Sequence, residues 1–366
     1  MRISKIMLAG QQSFLRQASC ASEVAAAAGK PWRLSASVVV MAPTSSVPKS
    51  DLSSAGLAGQ DYKVCLVRRA ARSSFMPDVM VFPGGAVEAK DIANAGQLIG
   101  AAAEDLEATL RCAAVREVFE ESGIGIFEPA DIVQKLLEGP VDWRQAVSAD
   151  ASKLSELCKV GGVRPAAAAL KPWCSFVTPD FEHQKIKKGG FYTHFFVWAA
   201  PPGSHDQISK ALADGQETTS LVWLAPDEAL AAQAAGRIAL APPQWYIFKE
   251  LAENCPQISG VSSYAESHGR ALQRDYPIKP YPGVISADEA EAFQGRISSK
   301  ETNVVCLAYP GDETHPVFPG PVGARHRMLI AGSITSGASQ YELQKSENVP
   351  LPLQESSPGW HSLAKL

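Results

Sequence analysis

The chain has 366 residues, of which 46% are hydrophobic and 20% charged, and its 34 Lys plus Arg against 38 Asp plus Glu give a net charge of −4. No apolar run approaches the roughly 18 residues that a membrane-spanning helix needs. The composition therefore predicts no membrane span, no nucleic-acid partner, and either one enlarged globular domain or two ordinary ones.

The first part of the chain, residues 1–31, is predicted to be a flexible N-terminal segment. Its first 22 residues carry Arg2, Lys5 and Arg16 but no acid, so they resemble an organelle transit peptide, with a disordered tail as the alternative. The seven cysteines are scattered and include no C-x-x-C pair. This pattern favours a reducing compartment and argues against structural zinc.

Residues 32–254 contain the main series of predicted strands and helices. The strands, rich in β-branched and aromatic residues, are expected at 34–43, 62–69, 79–85, 170–179, 191–199 and 219–226. Helices are expected over the run that ends at Gly123, in an insert at 130–137 and 142–160, and at 242–254. This order predicts an α/β (α+β) fold, in which a mixed sheet lies between helices.

The C-terminal extension, residues 255–366, has little periodicity. Two of its segments, TNVVCLAYP and RHRMLIAG, could pair as a small terminal sheet. The sequence assigns no role to this extension or to the helical insert.

Three carboxylates on one helix carry the chemical signal. Glu117, Glu120 and Glu121 stand at i, i+3 and i+4, so they share one helix face, where like charges repel by about 0.2–0.5 kcal/mol per pair. A solvated acidic face is the ordinary explanation of such a cluster. A bound divalent cation would turn the repulsion into attraction, and hard oxygen ligands suit Mg²⁺ or Mn²⁺.

The run Arg116-Glu-Val-Phe-Glu-Glu-Ser-Gly-Ile124, preceded by the Gly84-Gly85 turn, resembles the signature of the Nudix hydrolase superfamily, G-x5-E-x7-R-E-U-x-E-E-x-G-U, where U is aliphatic. The second half matches completely. In the first half Asp91 replaces the Glu, and 24 residues instead of seven separate it from Arg116. We expect the 17 extra residues to form a surface loop. Asp91, Glu104 or Glu107 could orient Arg116.

The interrupted signature, the W-x-x-x-x-T-P segment at 173–179 and the T-x-F-F strand at 193–196 resemble one branch of the superfamily, the peroxisomal coenzyme A diphosphatases. The resemblance implies a Nudix-type fold and metal-dependent hydrolysis of CoA or acyl-CoA to adenosine 3′,5′-bisphosphate and (acyl-)phosphopantetheine. A Nudix hydrolase of NADH or of a nucleoside diphosphate sugar is the first alternative, and a catalytically silent Nudix-fold binding module is the second.

The resemblance also implies roles for individual residues. Glu117, Glu120 and Glu121 would hold the metal, and Arg116 would fasten the helix to the Gly84-Gly85 turn, which contacts substrate. One helix carboxylate or a downstream acid such as Glu217 would be the general base. The 3′-phosphate of CoA requires a local basic patch in this acidic protein. The first candidate is the group Lys185, Lys187 and Lys188, and the second is Arg68, Arg69 and Arg72.

The last three residues, Ala364-Lys365-Leu366, resemble the Ser-Lys-Leu peroxisomal address. The sequence therefore predicts a peroxisomal location with an import receptor as partner. Entry into mitochondria through the N-terminal segment is the alternative.

Overall fold

A seven-stranded mixed sheet forms the centre of the protein in the computed structural model, which describes residues 30–52, 59–73, 76–267, 277–296, 304–332 and 339–346. The order of its main strands is β3-β2-β1-β8-β7, while β4 pairs with β1 and β9 pairs with β2. The strands are β1 Arg33–Pro43, β2 Tyr62–Arg69, β3 Met80–Val81, β4 Gly84–Ala86, β7 Lys171–Val177, β8 Phe191–Ala199 and β9 Thr218–Leu224.

The sheet is mixed because one pair is parallel and the other pairs are antiparallel. Strands β1 and β8 run parallel from Arg33↔Phe191 to Met41↔Ala199, and β1 also pairs with β4 from Ser35↔Ala86 to Ser37↔Gly84. The predicted strand at 79–85 is thus divided into two short strands on different neighbours, β3 on β2 and β4 on β1. The predicted α/β sandwich with a mixed sheet is confirmed.

Eleven helices accompany the strands in the described residues. They are α1 Ala89–Ile99, α2 Leu106–Ser122, α3 Ala130–Leu137, α4 Trp143–Ala149, α5 Lys153–Gly161, α6 Asp180–His183, α7 His205–Ser209, α8 Pro226–Ala234, α9 Pro242–Asn254, α10 Ile258–Glu266 and α11 Ala287–Arg296. The predicted helix at 142–160 is in fact two helices, α4 and α5. Between them Asp150 accepts hydrogen bonds from the backbone and hydroxyl of Ser152, as a turn residue does.

Helix α2 is held against one face of the sheet. The Asp105 carboxylate accepts a hydrogen bond from the backbone N–H of Ala108 at its start, and Gly123 has φ 76° at its end, where a residue with a side chain would be strained. Its side chains Ala113, Ala114 and Val118 are fully buried in the cluster that includes alternate residues of β1. The catalytic-helix candidate is therefore fixed over its whole length.

The interruption of the signature is not a surface loop, as the sequence suggested. Residues 89–99 form helix α1, which packs on α2, and Asp91, Asn94 and Ala95 are buried. The amide of Asn94 donates to the carbonyl of Ala151, and the hydroxyl of Ser155 on α5 donates to the Asn94 oxygen. Half of the interruption is thus a packed element supported by the helical insert.

The other face of the central sheet is covered by helix α9 and by the C-terminal extension. The extension has a four-stranded antiparallel sheet, β10 Tyr281–Pro282, β11 Val304–Ala308, β12 His326–Ala331 and β13 Gln340–Lys345. A two-stranded ribbon, β5 Phe127–Glu128 with β6 Arg164–Pro165, flanks the insert. The predicted pairing of the two segments at the chain's end is confirmed, because β11 and β12 are neighbours.

The terminal sheet shares its core with the central one. Leu307 and Met328 belong to the same buried cluster as Met41, Leu66 and Phe248. No helix among the described residues is both long and apolar enough to cross a membrane. Residues 1–29 and 347–366, and with them the predicted transit segment and the Ala364-Lys365-Leu366 address, lie outside the described residues.

Candidate active site

The turn at Gly84-Gly85 lies directly against helix α2. A Cβ atom at position 85 would be 2.5 Å from Oε2 of Glu117, which is closer than real side chains approach. The backbone N–H of Gly84 donates to Oε2 of Glu121 at 2.9 Å. Glycine at this turn therefore lets the β4 backbone meet two of the three helix carboxylates.

Arg116 is the centre of a buried ion-pair network. Its Nη1 donates to Oε1 of Glu117 at 2.9 Å and to Oε1 of Glu120 at 3.2 Å, while its Nη2 donates to the carbonyl of Ala86. The guanidinium is buried to 99% of its surface. Arg116 thus joins the helix to β4, the strand that contains Gly84 and Gly85.

Asp91 is the acid that orients Arg116. Its two oxygens accept from Nε and Nη2 of Arg116, both at 2.9 Å, in the bidentate geometry that suits a guanidinium and a carboxylate. Glu107 pairs instead with Arg111, and Glu104 is exposed. The choice that sequence spacing left open is therefore settled by helix α1, which carries Asp91 across the interruption to the position next to Arg116.

The network contains more negative than positive charge. Asp91, Glu117 and Glu120 share the guanidinium of Arg116, and Glu121 adds a further carboxylate whose charge repels that of Glu117. Burial raises the pKa of Glu117 to about 8 against the opposing effect of Arg116, and raises that of Glu120 to about 7. Burial also raises the pKa of Glu121 well above its usual value, with repulsion from Glu117 adding to the effect. A bound cation would stabilise the ionised forms.

The donor chemistry of this network fits a divalent metal ion, since buried carboxylates with unbalanced charge are hard oxygen ligands. The side chains themselves are turned toward protein partners. In the part of the chain that the structure describes, no three His, Cys, Asp or Glu side chains are grouped as metal ligands. The reason is visible in the contacts, because Arg116 engages Glu117 and Glu120 while the Gly84 N–H engages Glu121.

A cavity of about 600 Å³ adjoins the glycine turn, and Gly84 and Gly85 line it. Its volume lies within the roughly 300–1,000 Å³ of small-molecule sites. Arg69 also lines the cavity, and its charge lowers the pKa of Glu121 while Glu217 raises it, so both groups lie within electrostatic reach of that carboxylate. The site thus combines a charged centre with a substrate-sized space.

The three predicted lysines are not equivalent. Lys185 lines the cavity and forms an ion pair with Glu182 at 2.7 Å. Lys187 and Lys188 are exposed and are not among the residues that line it. Of the second candidate group, Arg69 lines the cavity and Arg72 donates to the carbonyl of Gln216.

Sequence reasoning missed the cavity wall that the C-terminal extension supplies, formed by residues such as Val305, Leu307 and Tyr309. These are ordinary apolar strand residues, and no motif distinguishes them. Only their place in the folded chain reveals their proximity to the glycine turn.

The chain is similar to known proteins over much of its length. The chain is 26% identical over 352 residues to "Acyl-coenzyme A diphosphatase NUDT19" of Xenopus laevis, which covers 82% of this chain and 86% of that protein. It is 28% identical over 344 residues to the protein of the same name from Gallus gallus, covering 80% and 82%. The crystal structure of a NUDIX hydrolase from Alicyclobacillus acidocaldarius is 21% identical, with a TM-score of 0.49, and covers 64% of this chain and 96% of that one.

A family model describes the same region more directly. The model of the NUDT19 Nudix domain matches residues 32–100 and 99–251, the part of the chain that holds the central sheet, the glycine turn and helix α2. The match spans more than half of the chain. The protein therefore belongs to the NUDT19 Nudix domain family.

Proposed function

We propose that this protein hydrolyses the diphosphate linkage of CoA and acyl-CoA. The observation that carries the proposal is the surplus of buried carboxylates on helix α2, placed at a glycine turn that lines a substrate-sized cavity. The relatives from Xenopus laevis and Gallus gallus are named acyl-coenzyme A diphosphatases, which supports this substrate class. Water would add to one phosphorus atom, and the bridging oxygen would stay with the other, giving adenosine 3′,5′-bisphosphate and (acyl-)phosphopantetheine.

Nudix hydrolases depend on divalent metal ions, and Mg²⁺ or Mn²⁺ is the proposed cofactor here. Glu117, Glu120 and Glu121 would hold it, with the Gly85 carbonyl as a further ligand by analogy. When bound, the metal would neutralise charge on the diphosphate oxygens and lower the pKa of a water molecule.

The other residues of the network position these carboxylates. Arg116 holds Glu117 and Glu120 by hydrogen bonds and fastens their helix to the strand after the glycine turn through the Ala86 carbonyl. Asp91 holds the guanidinium in that orientation. Arg116 is thus a positioning residue, and the Gly84-Gly85 backbone is the element that approaches the diphosphate.

Two kinds of acid are candidates for the general base. One is a carboxylate of helix α2, and the other is Glu217, an exposed residue whose charge reaches Glu121. A base must carry a proton away from the attacking water, so its replacement would alter the pH profile of kcat. Glu217→Gln would leave that profile unchanged if a helix carboxylate is the base.

The 3′-phosphate of CoA would bind at a local cation. The loop of Lys185, Lys187 and Lys188 is the first candidate, and Lys185 is its member in the cavity wall. Replacing all three with Ala should raise KM for CoA at least several-fold and hardly change KM for 3′-dephospho-CoA, with high salt reducing the difference. Equal changes for both substrates would exclude the loop and direct attention to the Arg68, Arg69 and Arg72 group.

The experiment that tests the function is hydrolysis of a small panel, CoA, dodecanoyl-CoA, NADH and ADP-ribose, by the full chain with and without Mg²⁺ or Mn²⁺. The proposal expects metal-dependent release of adenosine 3′,5′-bisphosphate from the two CoA compounds. Preferential turnover of NADH or ADP-ribose would replace the substrate class. Binding of CoA without turnover of any compound would indicate a binding module.

A peroxisomal location, with the import receptor as partner, is part of the proposal and is supported by the Ala364-Lys365-Leu366 segment. Deleting these three residues should move the protein out of peroxisomes and leave kcat and KM unchanged. Retention in peroxisomes after deletion, or accumulation in mitochondria of the intact chain, would overturn the assignment.

A further inference from the structure

The cavity beside the glycine turn is lined by both charged and apolar residues. Gly84, Gly85 and Arg69 line it next to the carboxylate network, and Glu182 and Lys185 are its other charged lining residues. The remaining wall is mostly apolar and includes Phe176 and Phe195, which contact each other edge to face. A ligand that enters this cavity therefore meets charge near the diphosphate site and apolar surface beyond it.

Part of the apolar wall comes from outside the matched Nudix domain. The family match ends at residue 251, whereas the cavity is also lined by Pro280, Val305, Leu307, Tyr309, Ile330 and Gly332. None of these six residues is charged. The Tyr309 hydroxyl is directed to the sulfur of Met328, so it is occupied within the protein. The C-terminal sheet thus contributes a part of the cavity wall that has no charged group with which to bind a ligand.

Two side chains of the cavity are exposed although they are large and apolar. Val305 on β11 is 49% exposed, and Phe181 on α6 is 37% exposed. Exposed apolar surface that is concentrated in a concave site is typical of ligand-binding walls. An apolar ligand group would cover Val305, whereas the Phe181 ring lies beside Lys185, whose Nζ is 5.8 Å from the ring centroid.

We propose that the C-terminal sheet forms the binding wall for the acyl chain of acyl-CoA, so that residues outside the Nudix domain determine chain-length preference. This inference rests on the proposed function. The acyl group fits this wall because it is apolar and is linked through pantetheine to the diphosphate. Adenosine 3′-phosphate carries charge and polar ring edges, and Val305, Leu307 and Ile330 offer these groups no partner.

The test is Val305→Trp in the full-length chain, which places an indole in the space of the wall without altering a buried residue. The ratio of kcat/KM for dodecanoyl-CoA to that for CoA should fall at least about tenfold, with a smaller fall for hexanoyl-CoA, because a longer chain reaches more of the wall. The matched control is Val322→Trp, which changes a fully exposed valine of the same extension that does not line the cavity. It should leave the ratio unchanged.

Two further measurements separate the possible failures. Phe181→Ala changes the cavity wall beside Lys185, outside the C-terminal sheet, and should leave the ratio unchanged. Calorimetric binding of dodecanoyl-CoA and CoA without metal should show tighter binding of the acylated compound, reduced by Val305→Trp. If the wild-type chain binds in this way but hydrolyses neither compound, the proposed function fails and the acyl wall stands. An unchanged ratio in Val305→Trp, or equal losses for CoA and dodecanoyl-CoA in that variant, would overturn the wall.

Discussion

Two buried arginines in this protein form the same bidentate ion pair with an aspartate, but the two pairs have different roles. Arg116 in helix α2 binds both oxygens of Asp91, and Arg327 in strand β12 binds both oxygens of Asp312 through the same two guanidinium nitrogens. In both pairs the arginine side chain is 1% exposed and the aspartate 0%. Geometry and burial are thus matched, and the difference lies in the charges around each pair.

The pair in the terminal sheet is satisfied. Burial alone would raise the pKa of Asp312, but hydrogen bonds from Arg327, the His326 backbone and Thr314 lower it to about 2. The pair in helix α2 has Glu117, Glu120 and Glu121 added to it, and burial raises the pKa values of these groups. The first cluster has its charges balanced, whereas the second holds more carboxylates than cations, and a bound cation would stabilise their ionised forms.

The largest effect on stability is expected when the Arg327–Asp312 pair is broken. Asp312→Asn should lower the free energy of unfolding by about 3–5 kcal/mol, because the buried Arg327 charge then keeps only Glu313, whose Oε1 is 3.7 Å from its Nη2 and also pairs with Arg325. Asp91→Asn should cost less than about 2 kcal/mol, because Arg116 keeps Glu117 and Glu120 as partners. Urea unfolding of both variants measures the difference.

The control for this pair of variants is near-ultraviolet circular dichroism at low denaturant, which should show a folded chain in both. Equal costs for Asp312→Asn and Asp91→Asn would mean that the additional glutamates do not compensate Arg116. The proposed contrast between the two clusters would then be lost.

The second prediction concerns the additional glutamates of helix α2. Glu120→Gln and Glu121→Gln should each lower kcat at least about a hundredfold with Mg²⁺ or Mn²⁺ present, equivalent to about 2.7 kcal/mol of activation free energy. Each removes a ligand charge, and without metal each should unfold at the same or a higher temperature because a repulsive group has gone. Glu107→Gln, an exposed residue in the first turn of the same helix, is the control and should stay active. Full activity in both test variants would refute the ligand assignment.

Much of the fold and part of the site could be predicted because their signals are local. Helix α2 has a capping Asp105 and a terminal Gly123, and the strands are short β-branched runs with turns between them. The loop expected in place of helix α1 was wrong, because the expectation rested on the interruption of the signature, whereas the alanines of this segment favour a helix. Packing on α2 and the bonds of Asn94 to the insert stabilise it, and these contacts join residues about 60 positions apart.

The same reason explains the ambiguity over the partner of Arg116. The interruption removes the fixed spacing of the signature. Asp91, Glu104 and Glu107 are therefore equally compatible with the sequence as the acid beside Arg116. The cavity wall from the C-terminal extension is a still longer-range feature, since β11 is separated from the glycine turn by more than 200 residues. Such contacts follow from the assembled sheets and have no local pattern.

The third prediction concerns how the stability contributed by the terminal cluster depends on pH. His326 is fully buried beside Arg327, where its Nδ1 donates to the Pro310 carbonyl and its Nε2 accepts from the Tyr246 hydroxyl. Burial lowers the pKa of His326 to about 4. The unfolded chain therefore binds a proton more readily, so the stabilisation is complete above pH 6.5 and declines as the pH falls toward 4.

Urea unfolding at pH 7 and pH 5 measures this contribution. The wild-type chain should lose about 2 kcal/mol more than His326→Asn over this interval. The exposed residue His205 supplies the control, since His205→Asn should lose as much as the wild type. If the His326 variant has the same pH dependence as the wild type, the terminal cluster is not the origin of the acid sensitivity.

The smallest effect concerns how the charged cluster of helix α2 is supported. Asn94→Ala should cost about 1–2 kcal/mol, because the Ala151 carbonyl and the Ser155 hydroxyl lose their buried partner. Lys90→Ala removes an exposed ion pair to Asp150 in the same region and should leave the unfolding midpoint unchanged. Helix α1 carries Asp91, so Asn94→Ala should also lower kcat several-fold, whereas Lys90→Ala should not. A loss of stability with unchanged kcat would show that Arg116 keeps its orientation without support from the insert.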